Sequence, residues 1–207
     1  MILGPVGIWK WPGKLSGTWV NTGMYVQTWQ AIGAAGVWAR HNYVVKVDAD
    51  AVFFANKLVE ALRGMAVPAE GVYLENCPFV EYGYFGNLEV FSKNAFGTLL
   101  TQMEDCYAGL NWKVGIKNGK YGPMGEDLFA QTCMDRHGVK KVERFDLTRD
   151  GTCPADRPKA EKKNKKYVPS CKGAPAVSIH PFKKPDAYFK CMEEADQVMP
   201  APRHDAR

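Results

Sequence analysis

Apolar and polar positions along this chain fall into short blocks whose period switches between two and about 3.6. Residues 43–47, Tyr-Val-Val-Lys-Val, form a β-branched run that reads as a buried strand. It stops abruptly at Asp48-Ala49-Asp50, and apolar residues resume with Val52-Phe53-Phe54. Further strand-like blocks lie at 71–75, where Val72 and Leu74 alternate with polar neighbours, and at 87–91. Two more lie at 141–147, with Glu143, Phe145 and Leu147 inward, and at 176–180.

Between these blocks the helical period takes over. Residues 18–38 put Tyr25, Trp29 and Ile32 on one face, with Asn21 or Thr22 as the cap and Gly33 and Gly36 weakening the far end. Residues 56–65 carry Leu58 and Leu62 one turn apart, and Pro68 follows. Ser92 caps a long helix to about Leu110, striped by Ala95, Leu99, Met103 and Cys106. Residues 126–137 place Leu128, Phe129 and Cys133 inward, with Gly138 as the stop. Residues 185–199 close the chain with Tyr188, Met192 and Ala195 at helical spacing.

Three stretches lack a period: the aromatic entry at 1–16, the turn-rich 111–125 and the polar 150–172, whose basic run 159–166 reads as a solvated face. Strands interleaved with helices predict an α/β fold with a mixed sheet flanked by helices. The expected single domain has an entry segment and helix (1–42), an α/β core (43–149), a polar basic loop (150–175) and a closing strand and helix (176–199).

Composition narrows the partners. The chain of 207 residues is long enough to build a substantial core. A net charge of +5 suits an anionic ligand such as a nucleoside diphosphate without demanding nucleic acid. The basic run has only Tyr167 beside it for stacking, so nucleic acid is not the expected partner. No apolar run reaches membrane-spanning length, and residues 1–8 lack the basic start and long apolar stretch of a signal peptide. Six cysteines without a Cys-x-x-Cys pair argue against a zinc ribbon. Their even number and scatter fit disulfides in a secretory lumen, with at least one expected among Cys153, Cys171 and Cys191 and six reduced thiols as the plainer alternative.

The Asp-x-Asp is the main chemical signal. Asp at the exit of a buried strand needs a partner, and a divalent cation such as Mn²⁺ or Mg²⁺ is a natural one. The open ends of parallel strands are where ligands collect in α/β sheets. The plainer alternative is that the two acids cap a helix or start a turn. Glu126 and Asp127 have the same ordinary reading as acids at a helix N-terminus, and His180 as a strand-end histidine paired with a neighbour. Glu81 and Glu89 are weaker acid candidates.

Three segments then stand in order: Lys46-Val47-Asp48-Ala49-Asp50, Gly125-Glu126-Asp127-Leu128-Phe129 and Ile179-His180-Pro181-Phe182-Lys183. Together they resemble the nucleotide-sugar-dependent glycosyltransferases of the GT-A fold, a Rossmann-like mixed sheet flanked by helices. Residues 82–88, Tyr-Gly-Tyr-Phe-Gly-Asn-Leu, resemble the segment bordering the acceptor pocket. The resemblance spans roughly residues 43–184. It implies that Asp48, Asp50 and His180 hold Mn²⁺ or Mg²⁺ against the diphosphate of a nucleotide-sugar donor. It also implies that Asp127 or Glu126 faces a glycan or protein acceptor as the base in an inverting reaction. Lys183 and Lys184 are then candidates to stabilise the diphosphate.

The chain departs from that pattern at its start, where 47 residues precede Asp48 and do not look like the β-α unit that grips the nucleotide. An N-terminal truncation and a lost nucleotide half are the two ways to read this. The second leads to a non-catalytic GT-A-like subunit or linker that meets protein partners through its aromatic residues.

Overall fold

The computed structural model describes residues 9–10, 19–78, 83–109, 125–151, 153 and 171–196. In chain order these form β1 (Trp9–Lys10), β2 (Trp19–Val20), α1 (Thr22–Ala35), a 3-10 turn (Val37–Arg40), β3 (Tyr43–Val47), β4 (Val52–Phe53) and α2 (Ala55–Leu62). Then follow β5 (Val72–Glu75), β6 (Leu88–Ser92), α3 (Lys93–Ala108), α4 (Glu126–Arg136), β7 (Lys140–Glu143), β8 (Thr148–Asp150), β9 (Ser178–His180) and α5 (Pro185–Asp196).

The main sheet has the order β3-β6-β5-β7, a smaller one the order β4-β9-β8, and β1 pairs with β2. Both larger sheets are mixed. β6 is antiparallel to β3 and β5, whereas β5 and β7 are parallel. In the small sheet β4 is antiparallel to β9 and β8 is parallel to it. The architecture is therefore α/β, with mixed sheets flanked by helices.

Strand alternation divides the core. On one face of the main sheet, Val44, Tyr73 and Phe91 pack with Trp29 of α1, Phe96 and Leu99 of α3 and Phe129 of α4. On the other, Val45, Leu74, Leu88 and Val90 meet Leu58 of α2 and Leu147. A separate cluster of Val52, Ile179, Phe182, Cys191 and Ala195 joins α5 to the small sheet.

Ser92 joins three elements at once. It ends β6, its hydroxyl caps α3 by accepting from Ala95 N at 3.3 Å, and the same oxygen accepts from Val72 N at 2.9 Å. Gly71 makes this approach possible: its φ is +81°, and a Cβ there would lie 2.3 Å from Ala95 N.

Three disulfides lock these units: Cys77–Cys153, Cys106–Cys133 between α3 and α4, and Cys171–Cys191. Such bonds persist in oxidising, non-cytosolic surroundings. Among the described residues no helix is long and apolar enough to cross a membrane.

The structure corrects several sequence expectations. Tyr43–Val47 is a strand, but half-buried rather than buried, and among the described residues it pairs on one side only. That pairing is antiparallel, so the Asp-x-Asp does not follow a parallel strand. Val72–Glu75 is buried throughout instead of alternating, because β5 lies between two strands with helices over both faces. The block at 141–147 breaks into β7, a turn and the approach to β8. Its inward side is reversed at Val142 and Glu143, because the register Leu74↔Val142 draws Val142 toward the core and leaves Glu143 exposed, whereas Leu147 is buried as expected. Ile32 is exposed; of the expected face Trp29 is buried and Tyr25 packs part-buried against the core, and Thr22 and Val26 complete the inward side of α1. Most of the entry segment, the turn-rich stretch and the basic run 159–166 lie outside the described residues.

Candidate functional site

β3 and β9 deliver the acidic corner. After Val47 the chain turns, with Asp48 N donating to Asn87 O at 3.3 Å and Ala51 N to Asp48 O at 3.0 Å. Phe182 N then donates to Asp50 O at 2.7 Å, fixing the turn to the segment that follows β9. Asp48, Asp50 and His180 each offer a ligand atom, and these atoms lie within 4.8 Å of one another.

His180 is oriented from behind. Parallel register sets Asp150 beside His180, and the Asp150 carboxylate bonds Nδ1. That leaves Nε2 directed at Asp50 Oδ1, 3.3 Å away. A carboxylate behind an imidazole is the usual outer support of a metal-ligating histidine. The edge of the Phe85 ring closes one side, its centroid 6.4 Å from that of His180.

Two carboxylates and an oriented imidazole fit a hard divalent cation. Lys183 makes a close ion pair with Asp50 Oδ2. Burial pushes the Asp50 carboxyl up, but the Lys183 hydrogen bond and the His180 charge outweigh it and hold the carboxyl below its ordinary range. A second grouping, Cys106, Cys133 and His137, has its two sulfurs in a disulfide and so offers no thiolates to a metal.

A buried cage adjoins this corner. Lys46 lies on the core-facing side of β3, directly across from Glu89 on β6. Its ammonium donates to Asp48 Oδ1 at 2.7 Å, Gly86 O at 2.6 Å and Glu126 Oε1 at 2.6 Å. Those contacts use all three N–H donors of an ammonium. Glu89, with Oε1 at 3.1 Å, receives charge but no aligned hydrogen bond, and neither of its oxygens has one among the described residues. The Tyr25 ring adds a cation–π face, its centroid 5.0 Å from Nζ.

The cage shifts its members strongly. Burial alone would lower the Lys46 pKa, yet the charges of Glu89, Glu126 and Asp48 drive it well above its ordinary value. Burial raises the Glu89 carboxyl far above the carboxylate range despite Lys46. Asp127 is crowded by protein atoms, although part of its surface still meets solvent. Burial, then the neighbouring Glu126 charge, raises it to about 7, against hydrogen bonds from Leu128 N and Gly86 N.

Gly86 fits tightly between these groups. A Cβ on it would stand 3.2 Å from Glu126 Oε1, 3.3 Å from Asp127 Oδ2 and 3.4 Å from Lys46 Nζ. Glu126 is anchored from a further side, where its N–H donates to Asn21 Oδ1 at 3.0 Å. Asn21 thus caps α4 instead of its own helix, on which it makes no side-chain cap.

The structure brings Asp48, Asp50 and His180 together and sets Glu126 beside Asp48 through Lys46. Lys183 reaches Asp50, whereas Lys184 is exposed and contributes its carbonyl to the first turn of α5. Glu81 lies outside the described residues, and Glu89 is inside the cage. Sequence reasoning passed over Lys46, Asp150 and Gly86. A cleft of about 940 Å³ between β3 and α2, bordered by Tyr43, Val45, Leu58 and Leu62, is lined by none of the site's acids.

Fold and site together define an α/β protein with a carboxylate–imidazole corner joined to a buried carboxylate–ammonium cage. No protein-family model matches the chain, and no curated protein matches it.

Proposed function

We propose that this chain is a metal-dependent glycosyltransferase of GT-A-like fold, or part of one. It would transfer a sugar from a nucleotide-sugar donor to a hydroxyl of a glycan or protein acceptor. The observation that carries the reading is the convergence of Asp48, Asp50 and an Asp150-oriented His180 within 4.8 Å. These three would hold Mn²⁺ or Mg²⁺, which when bound supplies Lewis acidity to the departing diphosphate.

The other roles belong to the chain. Lys183, 76% exposed in its side chain, is free to exchange Asp50 for a phosphate oxygen, and Lys184 stands next to it. For an inverting displacement Asp127 is the better base of the two acids. Glu126 commits Oε1 to Lys46, while Asp127 keeps solvent contact and titrates near neutrality, where a general base is effective. The acceptor oxygen bonds to the anomeric carbon, the bond from that carbon to the phosphate oxygen breaks, and the acceptor proton passes to Asp127. The three disulfides suit work in the lumen of the secretory pathway.

One observation favours a second reading. Lys46 and Lys183 already neutralise the two acids of the Asp-x-Asp, which is how a non-catalytic GT-A-like subunit or linker would keep such a corner without a metal.

The test is release of nucleoside diphosphate from a panel of nucleotide sugars with Mn²⁺ present. Activity that falls at least a hundredfold in Asp50→Asn supports transfer. A complete absence of turnover and of Mn²⁺ binding supports the subunit reading.

A further inference from the structure

Lys46 occupies a position that neither a metal corner nor an acid pair requires by itself. It is the polar residue of an otherwise apolar strand, its side chain only 12% exposed, and it points into the core face. Its three N–H donors go to three different segments: the turn after β3 at Asp48, the loop before β6 at Gly86, and the first turn of α4 at Glu126. Asp48 and Glu126 each commit one oxygen to the same nitrogen, although they lie 78 positions apart in the chain. A buried ammonium saturated in this way is a tether with a fixed geometry.

We propose that Lys46 is a positioning residue that couples the metal corner to the acceptor-side acids, holding Asp48 and Glu126 in one frame. This rests on the metal-dependent reading above. The bond to Lys46 engages Oδ1 of Asp48, so it fixes the carboxylate that stands with Asp50 and His180 in the metal corner. Any change in how Glu126 shares the ammonium changes the hold on Asp48. Gly86 belongs to the same frame, since its carbonyl accepts from Lys46 and its N–H donates to Asp127.

The experiment is calorimetric titration of Mn²⁺ alone into the oxidised full chain, in a double-mutant cycle of Lys46→Met and Glu126→Gln. Glu126 is outside the set Asp48, Asp50 and His180, so a bare loss of negative charge weakens Mn²⁺ by the same factor whether or not Lys46 is present. Coupling through Lys46 instead makes the effect of Glu126→Gln differ between the two backgrounds by roughly threefold or more. Lys46→Arg keeps the charge and guards against a misfolded Met variant. It is expected to stay folded yet bind Mn²⁺ several-fold more weakly, because a planar guanidinium does not reproduce the three-way ammonium geometry. Equal factors in both backgrounds, or wild-type Mn²⁺ affinity in Lys46→Arg, overturn the coupling while leaving the metal corner intact. Absence of Mn²⁺ binding in the wild type is a different result, and overturns both the metal reading and the inference built on it.

Discussion

The two lysines that face the Asp-x-Asp make opposite use of the same charge. Lys183 approaches Asp50 from solvent on a side chain 76% exposed, while Lys46 approaches Asp48 from the core on one 12% exposed. The exposed pair is screened and easily exchanged. The Lys46 ammonium has lost most of its water, and removing it strands the nearly buried Glu126 carboxylate. Neighbouring acids in one short motif are thereby given different tasks: Asp48 is held in place and Asp50 is left exchangeable. Burial, more than residue type, decides which ion pair is a strut and which is a gate.

The sharpest way to break this contrast is at Lys46. Lys46→Met leaves Asp48, Glu126 and Glu89 without their ammonium, and should cost about 3–5 kcal/mol in denaturant unfolding. A cost near zero would mean that the cage is solvated and the contrast false. Next is the Cys171–Cys191 bridge, which ties α5 to the segment leading into β9. Replacing both cysteines by Ser should cost about 2–4 kcal/mol and lower Mn²⁺ affinity, since His180 and Lys183 lie between them in sequence.

Asp127 gives a pH-dependent test. Its folded pKa, about 7, lies above the ordinary value of 3.8, so the folded state holds the proton more tightly than the unfolded one. Native stability therefore falls as pH rises from about 4 through 7. Asp127→Asn removes that penalty and should be more stable than wild type above pH 7 by on the order of 1–3 kcal/mol, with the advantage vanishing near pH 4. Thermal melts across this range check it. A constant difference would return Asp127 to the class of ordinary helix N-terminal acids.

The smallest effect on stability is expected at the gate. Lys183→Gln should change stability by less than about 1 kcal/mol, while Mn²⁺ binds a few-fold more tightly because a competing ammonium is gone. A stability loss comparable to that of Lys46→Met would erase the distinction between the two lysines.

Much of the fold was legible in the sequence because local signals and tertiary packing agree. The strand at Tyr43–Val47, the Ser92 cap, the helix from Glu126 and its stop at Gly138 all follow from period and capping chemistry. The inward side at Val142 and Glu143 was misread because the parallel register with β5, and not the local alternation, sets it, while the inward Leu147 was read correctly. The expected disulfide among Cys153, Cys171 and Cys191 is Cys171–Cys191, while Cys153 pairs with the distant Cys77, a choice made by three-dimensional proximity alone.

The site was half legible. Asp48, Asp50 and His180 are ordinary polar residues at strand ends and could be singled out by type and order. Lys46 and Glu89 left a fainter trace. In Tyr-Val-Val-Lys-Val and Leu-Glu-Val-Phe-Ser the charged residue shares the parity of Val44 and Phe91, both of which pack into the helix-covered core. A charge on the core side of each of two strands predicts a buried pair once their register is known, but no single sequence supplies that register. Asp150 was hidden because β8 is three residues long at the mouth of a polar stretch.

Calorimetry of a nucleoside diphosphate tests the central claim most directly, measured on the oxidised chain with and without Mn²⁺. Binding that requires Mn²⁺ and falls at least tenfold in Asp50→Asn is the predicted result. Binding that is indifferent to Mn²⁺, or no binding while Mn²⁺ also fails to bind alone, would contradict it and leave Lys46 and Lys183 as the only cations the corner holds.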